Sequence, residues 1–178
     1  MPDLLVIVDM QNDFVTKGGA LYFEKAEDVK PVVLDCVKNH VEKDENIIFT
    51  QDWHEKDDEE FKLFPPHCVK NTWGAELFDE LKELVQGYDK AFFVRKKKFS
   101  AFYGTDLDEK LKELSPTKIE VCGVATNICV LFTVEELRNR GYEVILYENG
   151  VSSYDEKLHE FALSQMRDVL GAKIERWR

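Results

Sequence analysis

Cys129 sits in the stretch GVATNICV, where an apolar, strand-like run gives way to a helical pattern. A buried cysteine packs as a small hydrophobe. One in the first turn of a helix instead faces unpaired backbone N–H groups and the positive end of the helix dipole, both of which favour thiolate. The position suggests a nucleophile, with the amides of the helix start available to an oxyanion. Asp9 follows LLVIV and precedes MQNDF, so it stands where a strand ends. A lone aspartate there is ordinarily a turn or cap residue, but this one has company. The stretch TQDWH puts Asp52 and His54 two residues apart, on one side of an extended chain, a pairing that suits a divalent metal ion. His67 follows thirteen residues after His54 in FPPHC, its backbone stiffened by two prolines. Asp, His and His form a metal-ligand set that leaves positions for water or substrate. Between them runs EKDDEEF, for the most part a solvated acidic loop, with a carboxylate available to complete or orient the set. The run VRKKKFSAFYG adds three lysines. Alternation places Lys96 and Lys98 on one face and Lys97 on the other, which leaves the choice of a functional lysine open. A lysine beside Cys129 lowers the thiol's pKa and favours its nucleophilic form.

These residues need elements to position them. LLVIVDM, NIIFTQDW, KAFFVRKK, KIEVCGV, EVILYENG and AKIERW read as strands, with nearly unbroken apolar centres of the kind found in a parallel sheet covered on both faces. Between them, EDVKPVVLDCVKNHVEKD, TWGAELFDELKELVQG, DLDEKLKEL, TNICVLFTVEELRNRG and SYDEKLHEFALSQMRDVLG carry apolar residues at intervals of three and four, the helical pattern. Ser153 with Glu156 fits a capping box for the last of these, and Gly171 fits its stop. The pattern predicts a three-layer α/β fold with a six-stranded, mostly parallel sheet. In such folds ligands bind beyond the carboxyl ends of the strands, and the candidate residues gather there.

A chain of 178 residues suits a single domain spanning 1–178. The net charge of −11 is spread over mixed Lys/Glu stretches with no basic face, which argues against nucleic acid as a partner. MPDLLVIVDM has neither a basic n-region nor the length of a membrane span, so the chain reads as cytosolic with no membrane partner. Cys36, Cys68, Cys122 and Cys129 form no CxxC and read as free thiols in a reducing compartment.

The set DMQNDF, TQDWH, FPPHC, KKKFSAFYGT and GVATNICV resembles the isochorismatase-like cysteine hydrolases, and within them the nicotinamidases that also act on pyrazinamide. The resemblance runs from residue 4 to about residue 155, with the motifs in family order. The metal motif sets this group apart from related isochorismatases and carbamoyl-type amidases. By this resemblance Asp9, Lys96 and Cys129 form the catalytic triad, Lys96 because the family lysine stands four positions before a serine, here Ser100. Asp52, His54 and His67 fall on the metal positions. Relatives commonly add a loop histidine, but no histidine lies between 54 and 67; a glutamate seven residues before the final histidine serves in some relatives and selects Glu60. Phe14, Phe64 and Tyr103 match the aromatic wall of the substrate pocket. The backbone amides of Ala125 and Cys129 match the oxyanion hole, with a cis bond between Val124 and Ala125.

The resemblance implies hydrolysis of nicotinamide to nicotinic acid and ammonia through a thioester, as a step of NAD salvage. It also implies a divalent metal ion that orients the pyridine ring, zinc first, with iron and manganese equally suited to Asp/His ligands. Two readings compete: another small-amide hydrolase of the superfamily, or a noncatalytic metal-binding protein. The sequence is compatible with a homo-oligomer and does not specify one.

Overall fold

The computed structural model describes residues 4–178. Strands β1 (Leu4–Val8), β2 (Asn46–Asp52), β3 (Ala91–Lys96), β4 (Lys118–Val124), β5 (Glu143–Ser152) and β6 (Lys173–Glu175) form one sheet in the order β3-β2-β1-β4-β5-β6. Every neighbouring pair is parallel, so the mostly parallel sheet expected from the sequence is parallel throughout. All five residues of β1 are buried, because both faces of this central strand are covered. Alternation divides them. Leu4, Val6 and Val8 pack with Leu107 and Leu111 of α4 (Leu107–Leu114), Val134 and Leu137 of α5 (Leu131–Asn139) and Ala162 of α6 (Glu156–Ser164). Leu5 and Ile7 face Val29, Val33 and Val37 of α2 (Ala26–Glu42) and Leu81 of α3 (Asp79–Leu84). Helices therefore cover both faces, the three layers expected from the pattern.

Strand order reverses direction between β1 and β4, so the crevice at their carboxyl ends is the switch point where such sheets bind ligands. Gly123 makes the close approach of these two strands feasible. It has φ +128°, and a Cβ there would lie 2.1 Å from the Val8 carbonyl oxygen. Asp9, the next residue of β1's chain, has φ +51° and turns its backbone out of the strand at this point, a conformation aspartate tolerates better than most residues.

Two local readings of the sequence change. TWGAELFDELKELVQG is not one helix: a 3-10 turn at Trp73–Ala75 precedes α3, and Leu77 between them pairs with Gln11 in an antiparallel bridge. That bridge, with Phe78 N–H donating to the Met10 carbonyl at 3.2 Å, holds the chain extended where helix periodicity continued. The cap of α6 is Asp155, whose carboxylate accepts from Leu158 N–H at 3.0 Å, while the Ser153 hydroxyl donates instead to the Asn127 side chain. Gly171, with φ +70°, does follow the end of that helical stretch. All four cysteines are unbridged and buried. Among the described residues, no helix is long and apolar enough to cross a membrane.

Candidate active site

Cys129 enters the site from a π turn at Thr126–Val130 that links β4 to α5, rather than from the first turn of an ordinary helix. The Ala125 carbonyl accepts from Ile128 N–H at 3.0 Å and from Val130 N–H at 3.2 Å, the latter closing the wider π ring. The Val124–Ala125 peptide bond is cis, as the resemblance implied. Ala125 and Cys129, the two residues assigned to the oxyanion hole, both line the cavity at the switch point.

The ends of β1, β2 and β3 bring Asp9, Asp52 and Lys96 to the same place. The Lys96 Nζ lies 2.9 Å from Asp9 Oδ2, donates to Asp52 Oδ1, reaches the Lys98 carbonyl at 3.0 Å and approaches Cys129 Sγ to 3.4 Å. Strand register explains the choice among the lysines: Lys96 pairs with Asp52 across β2 and β3, and the strand ends there. Lys96 is fully enclosed, whereas the Lys97 side chain is 59% exposed beside Glu55. Lys98 contributes only its carbonyl to the cluster.

Burial is the largest influence on all three groups. It works to lower the Lys96 pKa, but Asp52 and Asp9 outweigh it and hold the ammonium well above its usual range. It raises Asp9 despite the opposing charge of Lys96. It also raises the Cys129 thiol, with Asp9 and Asp52 adding to burial and Lys96 opposing them. Lys96 pulls the thiol's pKa down, as expected of a nearby lysine, but it is outweighed. Two buried carboxylates stand with the one cation, and together with burial they favour the protonated sulfur.

The other oxygen of Asp52 faces a second cluster. Its Oδ2 lies 3.5 Å from His54 Nε2 and 3.6 Å from His67 Nε2, and Glu60 Oε2 lies 3.2 Å and 3.0 Å from the same two nitrogens. The four donor atoms fall within 4.8 Å of one another. Adjacent donors on a divalent ion with bonds of about 2.0 to 2.2 Å lie roughly 3.0 to 3.4 Å apart, so the spacing fits such an ion with a coordination number above four and room for a further ligand. The chemistry of the rings fits as well. His54 Nδ1 is 3.0 Å from Asp58 Oδ2 and His67 Nδ1 is 2.8 Å from the Pro65 carbonyl, which aims both Nε2 atoms at the centre. His54 Nε2 is buried and lacks a hydrogen-bond partner. Burial opposes protonation of the histidines, yet the carboxylates around them prevail and push His54 up to about 10 and His67 up to about 9. A metal ion would take the place of those protons. Burial works to raise Asp52 too, but Lys96 and the two histidines hold it well below the usual carboxylate range.

Glu60 reaches this cluster because Asp58 caps a 3-10 turn at Glu59–Lys62, its carboxylate accepting from Glu60 N–H at 2.9 Å. The turn points Glu60 inward and leaves the Glu59 side chain 85% exposed. Glu60→Gln is expected to weaken metal binding by about 10 to 100-fold, and Glu59→Gln to change it little. Metal titration of the two variants side by side decides: loss in Glu59→Gln with retention in Glu60→Gln would move the ligand by one residue.

Two residues of the DMQNDF motif have roles that the sequence reading missed. The Gln11 side chain accepts from Asp52 N–H at 2.8 Å and donates to the Asp52 and Ala75 carbonyls at 2.8 and 2.9 Å. Asp13 accepts from Cys68 N–H at 2.7 Å, and a Cβ at Gly74 would strike its carboxylate. Together with His54 N–H bonding the Cys68 carbonyl at 3.0 Å, these contacts pin the long loop that carries Glu60 and His67. Thr50 donates to Asp9 Oδ1 at 2.7 Å and so orients the carboxylate. Polar residues inside or just after apolar strands were the signal for all three.

A cavity of about 470 Å³ opens on both clusters. Phe14 and Phe64 line it and pack against His67, with ring centroids 5.6 and 6.2 Å away. Tyr103 does not line it. After Phe99 the chain turns so that Ala101 and Phe102 are buried, and Tyr103, next in the turn, is 69% exposed. Phe99, 6.2 Å from Phe64, and Tyr154, which follows β5, form the wall instead.

Fold and site together define a doubly wound α/β protein whose switch point holds an aspartate, a lysine and a cysteine beside four donors spaced to hold a metal ion. The chain belongs to the isochorismatase family, whose domain model matches residues 3–176. It is 31% identical to the uncharacterized isochorismatase family protein PncA of Bacillus subtilis strain 168, over 98% of this chain and 99% of that protein. The crystal structure of nicotinamidase PncA from Bacillus subtilis superposes with a TM-score of 0.94 at 32% identity, covering 99% of this chain and all (100%) of the other. Pyrazinamidase of Pyrococcus horikoshii in complex with zinc superposes with a TM-score of 0.90, also at 32% identity, over 99% of this chain and 100% of that one.

Proposed function

We propose that this chain is a metal-dependent nicotinamidase, hydrolysing nicotinamide and pyrazinamide to the carboxylic acids and ammonia. The observation that carries the reading is a single cavity lined by Cys129, by Asp52, Glu60 and His67 of the four-donor set, and by the rings of Phe14 and Phe64, with His54 buried behind them as the fourth donor. The relatives named nicotinamidase and pyrazinamidase support it. Asp9, lifted above ordinary carboxylate basicity by burial, accepts the Cys129 proton, and the Lys96 ammonium steadies the thiolate as it forms. The sulfur attacks the carboxamide carbon, and the N–H groups of Ala125 and Cys129 take the developing oxyanion. Asp9 returns the proton to the departing nitrogen, and ammonia leaves. Water, deprotonated by Asp9, then cleaves the thioester and restores the thiol. A divalent ion held by the four donors, zinc first among the candidates, supplies a Lewis-acid anchor for the ring nitrogen.

In this reading one domain spans the chain and works in the cytosol, where its four free cysteines stay reduced and its product feeds NAD salvage. The test is ammonia release by the metal-loaded protein. Nicotinamide and pyrazinamide are expected to react, whereas benzamide, with the same carboxamide and no ring nitrogen, is expected to be at least about a hundredfold poorer. Benzamide turnover equal to that of nicotinamide would remove the metal's positioning role. Turnover of some other amide alone would point to a different hydrolase of the family.

A further inference from the structure

Resting on the reading above, we infer that His159 is a positioning residue for the nucleophile: through the Thr126 hydroxyl it fixes the turn that presents Cys129 and the amides of the oxyanion hole. The Thr126 hydroxyl and His159 Nδ1 share a hydrogen bond at 2.8 Å. Thr126 follows Ala125 directly and opens the π turn that holds Cys129. It is fully buried, so its hydroxyl, cut off from water, needs a partner within the fold. That partner comes from α6, 33 residues away in the chain.

The histidine stands where packing alone would favour an apolar side chain. Ala162 and Met166, further along the same helical stretch on the same side, are both buried, which places His159 on its inward stripe. Burial holds the imidazole's pKa below its ordinary value, so the ring meets the hydroxyl uncharged near pH 7. His159 does not line the cavity that contains Cys129; it borders a separate crevice with Ser152 and Ser153. Its route to the reaction therefore runs through the turn. A second tie, the Ser153 hydroxyl donating to Asn127 Oδ1 at 2.7 Å, holds the next residue of that turn. Reacting groups need placement to within roughly 0.5 Å, and without the His159 bond the chain between Ala125 and Cys129 loses the restraint at its first residue.

The experiment measures kcat and KM for nicotinamide, with metal content, in metal-loaded Thr126→Val, His159→Leu, the double variant, Thr126→Ser and His159→Asn, each assayed well below its Tm. Thr126→Val and His159→Leu should each lower kcat about tenfold. KM and metal content should hold, because Phe14, Phe64 and the four donors are untouched. The double variant should lose about tenfold rather than a hundredfold, since both changes remove one bond. Thr126→Ser keeps the hydroxyl and His159→Asn places an amide near the Nδ1 position, so both should stay within about threefold of the unaltered kcat. The inference is overturned if both Thr126→Val and His159→Leu keep kcat within about twofold of the unaltered chain, or if their losses multiply in the double variant. It is overturned too if neither Thr126→Ser nor His159→Asn restores kcat, which would make His159 a packing residue. If the unaltered chain releases no ammonia from nicotinamide, the nicotinamidase reading fails and this inference falls with it.

Discussion

Cys129→Ala is expected to reduce ammonia release from nicotinamide by at least about a thousandfold, the order of loss when a covalent nucleophile is removed. No other thiol can substitute. Cys68 belongs to the loop pinned by Asp13, while Cys36 and Cys122 lie 3.9 Å apart in the core on the α2 side of the sheet. Alanine preserves the π turn, whose bonds run through the Ala125 carbonyl and not through the sulfur. Metal content should also be unchanged, because Cys129 is outside the four-donor set. The variant therefore separates chemistry from folding: unchanged metal content with less than about one per cent of activity supports the assignment, and appreciable turnover would sink it.

Lys96→Met is the second large effect, and it acts on both activity and stability. Removing the ammonium leaves Asp9 buried without a counter-charge and strips Asp52 Oδ1 of its cation, with only the histidines left beside Oδ2. Breaking a buried pair in this way costs roughly 3 to 5 kcal/mol, read as a fall in Tm. Activity should drop by about a hundredfold or more, since the thiolate loses the one cation within reach. Lys97→Ala serves as the control. Its side chain is largely exposed, and surface changes of this kind usually stay within about 0.5 kcal/mol. Equal losses at 96 and 97 would place the working lysine elsewhere.

The six strands, the covered parallel sheet and the gathering of Asp9, Asp52, His54, Lys96 and Cys129 at strand ends were legible in the amino-acid order. Burial on both faces writes itself into continuous apolar runs, and polar residues that follow such runs stand at their ends. What could not be read was anything set by a partner distant in the chain. Periodicity left Lys96 and Lys98 on one face; the resemblance chose Lys96, and its pairing with Asp52, 44 residues away, gives the physical reason that it is the enclosed one. The five acidic side chains of EKDDEEF are chemically alike, and Glu60, picked out by the resemblance alone, meets His54 and His67 only because the folded loop and the Asp58 cap turn it inward. Tyr103 matched a motif, yet the burial of its neighbours Ala101 and Phe102 turned it to solvent and gave the wall to Phe99 and Tyr154. The direction of the Cys129 pKa was likewise a tertiary property. Residue types name the charges, but whether burial and two carboxylates outweigh one ammonium depends on their distances and on the water the fold excludes.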